Sequence, residues 1–172
     1  MKWILILLGS LVGLVASIAV IGALLPVKHV ATLSAEYHKP PEAVWAAITD
    51  PSKFASWRPN MNSATLADPA NPQHGWTETW SHGEVVPIAV EEWTPPRRLT
   101  TRLGPGMAFG GSWTFELTAA PGGTRLRITE NGEVYNVIFR FMSKFVFGHT
   151  ASIRDYLQGL GKSFGEETQV AG

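Results

Sequence analysis

Two carboxylates are the residues best placed to do chemistry. Glu78 sits between Trp76 and Trp80 on one face of an alternating run, and Glu130 continues the apolar face of Leu126 and Ile128. If those faces line an apolar space, desolvation raises the carboxyl pKa and suits one of the pair to general acid or base work. The competing reading pairs each with an arginine such as Arg102 or Arg127, or leaves it in solvent at a strand end. A carboxylate in a cavity can also orient a ligand without catalysing anything. Arg58, directly after Trp57, either meets an anionic group or caps a helix C-terminus.

Other chemistries lack a carrier. The five histidines, His29, His38, His74, His82 and His149, are scattered, with no pair at metal-ligand spacing on one element. There is no Gly-x-Ser-x-Gly, no phosphate loop and no dinucleotide fingerprint. No metal and no cofactor is therefore expected. Cysteine is absent, which excludes disulfides and thiolate chemistry. Fourteen basic and fourteen acidic residues cancel, so nothing electrostatic favours nucleic acid. Seven tryptophans are many for 172 residues; they indicate a thick core or the lining of an apolar cavity.

The elements that position these residues follow from periodicity. Residues 28–37 alternate, with Ala31, Leu33, Ala35 and Tyr37 on one face, as in a strand with one buried side. Pro41 to Ile48 reads as a short helix with Val44, Trp45 and Ile48 inward. Asp50 caps a second short helix, 51–56. Strand-like runs follow over 62–67, 75–81, 84–93, 97–103, 110–118 and 124–134, with Pro121-Gly122-Gly123 as a hairpin turn. From Asn136 to Glu167 the period changes to three or four, which predicts one long helix with Gly148, Gly159 and Gly161 as the points where it can kink; its front, Val137 to Phe147, is apolar on nearly every side and is expected either in the sheet's concavity or against lipid near the anchor. A twisted antiparallel sheet wrapped around that helix would leave a cavity between them. Trp57, Arg58, Trp80, Trp93, Trp113, Phe141 and Phe145 are the candidates to line it, although the tryptophans serve equally well as core.

The start of the chain decides where the domain works. From Trp3 to Val27 there is no charged residue. A helix through this run, at about 1.5 Å per residue, spans a bilayer core of roughly 30 Å. The run is longer than the apolar region of a cleaved signal peptide, so an uncleaved single-pass anchor is expected over residues 1–27. A domain over 28–167 and a frayed tail over 168–172 complete the division. Lys2 on one side against Lys28 and Lys39 on the other leaves the orientation open. Gly9 and Gly13, with Ser17, align small residues on one helix face and suggest a weak homodimer through that face.

The segment Pro40-Pro41-Glu42-Ala43-Val44-Trp45-Ala46-Ala47-Ile48-Thr49-Asp50-Pro51, followed by Phe54-Ala55-Ser56-Trp57, resembles the signature of the START and Bet v 1-like helix-grip superfamily. Within it, the chain is most similar to the polyketide cyclase/dehydrase and lipid-transport group. Phe139 to Gly148 also looks like the helix of membrane-anchored members. The resemblance covers about residues 28 to 167. It implies an α+β helix-grip fold, with a cavity entrance near Arg58.

Three functional readings follow. The first is a membrane-anchored binding domain for a hydrophobic or amphipathic small molecule, such as a lipid. The second is a cyclase- or dehydratase-like enzyme using Glu78 or Glu130. The third is an assembly protein whose cavity the tryptophans fill.

Overall fold

The computed structural model describes residues 2–172. Helix α1 (Lys2–Leu24) carries apolar side chains on all sides and leaves nearly all of them exposed. Its length and composition are sufficient to cross a membrane. A Cβ added at Gly9 or Gly13 would meet nothing within 4 Å, so this face of the helix is open, and Ser17 Oγ donates to the Gly13 carbonyl at 2.8 Å.

Strand β1 (Lys28–Tyr37) buries Ala31, Leu33, Ala35 and Tyr37, the face that its alternation marks. Pro41 opens α2 (Pro41–Thr49), which buries Val44, Trp45 and Ile48. Asp50 then accepts from the Ser52 amide at 3.2 Å and starts a 3₁₀ turn, Pro51–Ser56. The strands β2 (Met61–Leu66), β3 (Trp76–Trp80), β4 (Val85–Thr94), β5 (Arg98–Leu103), β6 (Phe109–Ala120) and β7 (Gly123–Val134) follow. Together with β8 (Val170–Ala171) they form one antiparallel sheet in the order β2-β3-β4-β5-β6-β7-β1-β8.

Register carries the inward faces into line. Leu33 sits opposite Ile128 and Ala35 opposite Leu126 between β1 and β7. Phe115 meets Ile128, and Leu117 meets Leu126, between β6 and β7. Across this concave face lies α4 (Ala151–Ser163), which buries Ile153, Tyr156, Leu157 and Leu160. Tyr37 Oη donates to the Leu157 carbonyl at 2.9 Å and ties β1 to the helix. Burial pushes the Tyr37 phenol up, so it stays a donor. The sheet gripping a C-terminal helix is the helix-grip fold.

The C-terminal helix departs from the expectation of one rod over 136–167. Asn136 caps α3 (Val137–Met142) by accepting from the Ile138 and Phe139 amides. The helix then widens into a π turn, Ser143–Phe147, and stops at Gly148, whose φ of 77° suits glycine. The physical reason is the change in apolar pattern. Helix α4 has one apolar stripe for the sheet, whereas 137–147 is apolar on nearly every side, Arg140 and Lys144 excepted. The concavity is already occupied by aromatic side chains, so this segment turns away and packs on α1.

The tail, expected to fray, instead pairs with β1 through Ser34–Ala171 and Ala35–Val170.

Candidate functional site

Two groups of polar side chains lie inside the grip, one at each end of an aromatic row. The first is built by the turn before β2. Trp57 N–H and Arg58 N–H both donate to the Phe54 carbonyl, at 3.1 and 2.8 Å, which swings the chain back at the end of the 3₁₀ turn. Asn60, with φ of 62°, completes the reversal. Arg58 is thereby aimed inward, where its Nη1 ion-pairs with Glu78 Oε1 on β3. Trp76 Nε1 donates to the same oxygen at 3.0 Å. The two charged side chains are 13% and 6% exposed.

Aromatic rings box the guanidinium. Its Cζ lies 5.0 Å from the Trp80 ring centre, 5.3 Å from Tyr156 and 5.6 Å from Phe54. Such faces favour a cation. Trp57 stands edge-on to Tyr156 at 5.0 Å and to Phe54 at 5.7 Å. A groove of about 410 Å³ opens outside this box, between residues 55–61 and α4, with Asp155, Gln158, Gly159 and Lys162 on its helix side.

The second group lies nearer α1. Glu130 on β7 faces His29 on β1, Nε2 to Oε1 at 3.5 Å. The His29 ring stacks on His149 with centres 4.0 Å apart. Gly132 makes the room, because a Cβ there would collide with the His29 ring. Burial pushes the Glu130 carboxyl up to about 7, against an opposing pull from the Trp113 and Ser152 side chains. Its Oε2 is buried without a hydrogen-bond partner. Burial also lowers the pKa of His29, helped by His149, and that of His149, helped by Lys144. The pair is thus favoured uncharged. Among the described residues no group of three or more His, Asp or Glu side chains is disposed to hold a metal ion; His29 and His149 stack rather than converge.

Both candidate carboxylates point to the concave side, but they do not share a pocket. Trp113 and Tyr156, 5.7 Å apart, stand between the Glu130 group and the Arg58–Glu78 pair. The arginine that meets Glu78 is Arg58, not Arg102 or Arg127. Arg102 bonds Glu91 on the exposed side, and Arg127 is exposed on β7. Trp57, Arg58, Trp80 and Trp113 gather around Tyr156, while Trp93 packs edge-on against Trp45 at 5.2 Å, under α2. Phe141 and Phe145 lie 4.9 Å apart on the α3–π segment, outside the grip, because the helix breaks before α4.

Histidine spacing along the chain did not reveal the His29–His149 stack, since its members come from opposite ends of the domain.

Comparison with known proteins places this geometry. The model of the family described as polyketide cyclase / dehydrase and lipid transport matches residues 28–163. No curated protein matches the chain. Among solved structures, a conserved protein from Geobacillus kaustophilus is similar with a TM-score of 0.67 at 18% identity, over 84% of this chain and 100% of that one. A START superfamily protein from Mycobacterium smegmatis is similar with a TM-score of 0.60 at 16% identity, over 79% and 94%. Ara h 8.0201 is similar with a TM-score of 0.54 at 14% identity, over 76% and 97%. At these identities the structures speak for the fold. The family match spans most of the domain and includes the motif from Pro40 to Trp57, so the chain belongs to the polyketide cyclase/dehydrase and lipid transport family.

Proposed function

We propose that this protein is a membrane-anchored binding domain for an apolar or amphipathic small molecule. One observation carries the reading. The groove of about 410 Å³ between residues 55–61 and α4 is lined by Trp57, Arg58 and Met61, and from Trp57 the aromatic contacts run inward through Tyr156 to Trp113. Its volume falls within the range of about 300–1,000 Å³ usual for small-molecule pockets. Binding would come chiefly from apolar area removed from water, at roughly 25 cal/mol per Å². Arg58 is held by Glu78 and the surrounding rings, so it can orient a polar end of the ligand without adding a net charge to the interior. The anchor reading rests on α1, a 23-residue helix that is uncharged after Lys2 and, apart from Gly22, unburied.

Native mass spectrometry of the detergent-solubilised full-length chain tests this reading. The expected result is a co-purifying apolar molecule that Trp57→Ala weakens. A chain that carries no such molecule, and whose tryptophan emission no fatty acid or lipid alters, overturns it.

A second reading has its own support. Glu130, with its carboxyl near 7 and one oxygen unpartnered beside His29, is suited to exchange a proton with a bound carbonyl compound. Glu78, committed to Arg58, is not. Deuterium exchange next to the carbonyl of β-diketones, lost in Glu130→Gln, would support catalysis; no exchange above background would count against it.

A further inference from the structure

We propose that the cleft just below the foot of α1, between residues 25–30 and the α3–π segment, binds the phosphate of an anionic membrane lipid. The proposal rests on α1 spanning a membrane. It concerns a site separate from the groove beside Arg58.

The cleft holds about 200 Å³ and collects Lys28, His29, Arg140, Lys144 and His149 around the backbone of Leu25 to Val27. Arg140 and Lys144 lie one turn apart and present one face. Arg140 donates from Nη1 to the Leu25 carbonyl at 3.0 Å and from Nη2 to the Tyr135 carbonyl at 3.3 Å. Its Nε is buried with no acceptor. Among the described residues no carboxylate pairs with Arg140 or Lys144. The nearest acids are engaged elsewhere. Glu133 takes Lys28 at 3.7 Å and the Tyr135 hydroxyl at 2.6 Å, and Glu130 faces His29. With the histidines uncharged and Lys28 taken by Glu133, the free positive charge of the cleft is that of Arg140 and Lys144, and an unsatisfied guanidinium N–H beside it calls for an oxyanion.

Location selects the source of that oxyanion. Gly22 is the buried residue of α1, and Val137 seats its backbone directly against it, where any Cβ would collide. The α3–π segment therefore lies level with the last turns of α1, where an apolar span meets the headgroup layer. Phe139, Phe145, Val146 and Phe147 are each more than half exposed, next to the exposed apolar surface of α1. A segment with such a surface beside a membrane helix lies in the interface plane, its apolar side toward acyl chains. Lipid phosphates lie at that depth, and basic residues beside a membrane helix favour anionic ones. The cleft accepts a head group, with the chains left against the phenylalanines.

Flotation and native mass spectrometry of the full-length chain test this together. The chain should float with phosphatidylcholine vesicles through α1 alone. Released into mild detergent, it should retain phosphatidylglycerol in preference to phosphatidylcholine. Arg140→Gln with Lys144→Gln should still float but lose that preference, by about fivefold for each basic side chain removed. Lys144→Gln alone, at an exposed position, should show the smaller loss without disturbing packing. Equal retention of the two lipids, or a preference that the variants leave intact, overturns the site while the anchor stands. Release of the lipid by inorganic phosphate at equal concentration overturns a lipid in favour of free phosphate. A chain that floats with no vesicle overturns the anchor reading, and the site with it.

Discussion

Arg58, from the turn before β2, reaches under the aromatic box and ion-pairs with Glu78 on β3, so that two opposite charges share the interior beside Tyr156. Taking both out of water is expensive, and the pair holds because Trp76 and three rings complete its surroundings. The interior end of the groove is therefore polar yet neutral.

Breaking this pair from one side should be far worse than removing both charges. Arg58→Leu or Glu78→Leu alone leaves an uncompensated buried charge and should cost about 3–5 kcal/mol of stability. The double variant should lose clearly less than the sum of the two. Thermal unfolding of the detergent-solubilised chain, followed by circular dichroism, checks it. Additive losses would mean that the two side chains act independently.

Glu130 should oppose the histidines in the pH dependence of stability. Its folded pKa of about 7 lies above the unfolded value of 4.5, so its contribution is present below 4.5 and lost as pH rises through 7. His29 and His149 have lowered folded pKa values, so their contributions are present above 6.5 and lost as pH falls. Across pH 4.5–7 the opposing slopes offset each other in the native chain. Glu130→Gln leaves only the histidine slope, and stability should then rise with pH by roughly 1.4 kcal/mol per pKa unit of histidine shift. Unfolding of both proteins over this range measures the difference. Parallel profiles would mean that folding does not raise the Glu130 pKa.

Gly22→Val should loosen α3 from α1. The added side chain meets the Val137 backbone, which cannot yield as a flexible side chain would. Overpacking of this kind typically costs about 1–3 kcal/mol. Amide exchange in residues 137–142 should quicken, while β1 and β7 keep their protection. Unchanged exchange across α3 would mean that the two helices do not depend on each other.

Local pattern determined much of this protein. The alternation of Ala31, Leu33, Ala35 and Tyr37 marks the buried face of β1, because a strand face needs only a period of two. Pro41 and Asp50 start their helical turns by backbone chemistry that acts within a few residues. The uncharged run from Trp3 identifies α1 by length alone. Only the tertiary structure decided which groups meet. Glu78 finds Arg58 because the 3₁₀ turn reverses at Asn60. His29 reaches His149 and Glu130 because register puts Gly132 beneath its ring. The helix expected over 136–167 breaks because its two halves bury against different partners, the sheet and α1. Helical periodicity records that a residue has an apolar neighbour; which surface supplies that neighbour depends on how the distant elements fill the space between them.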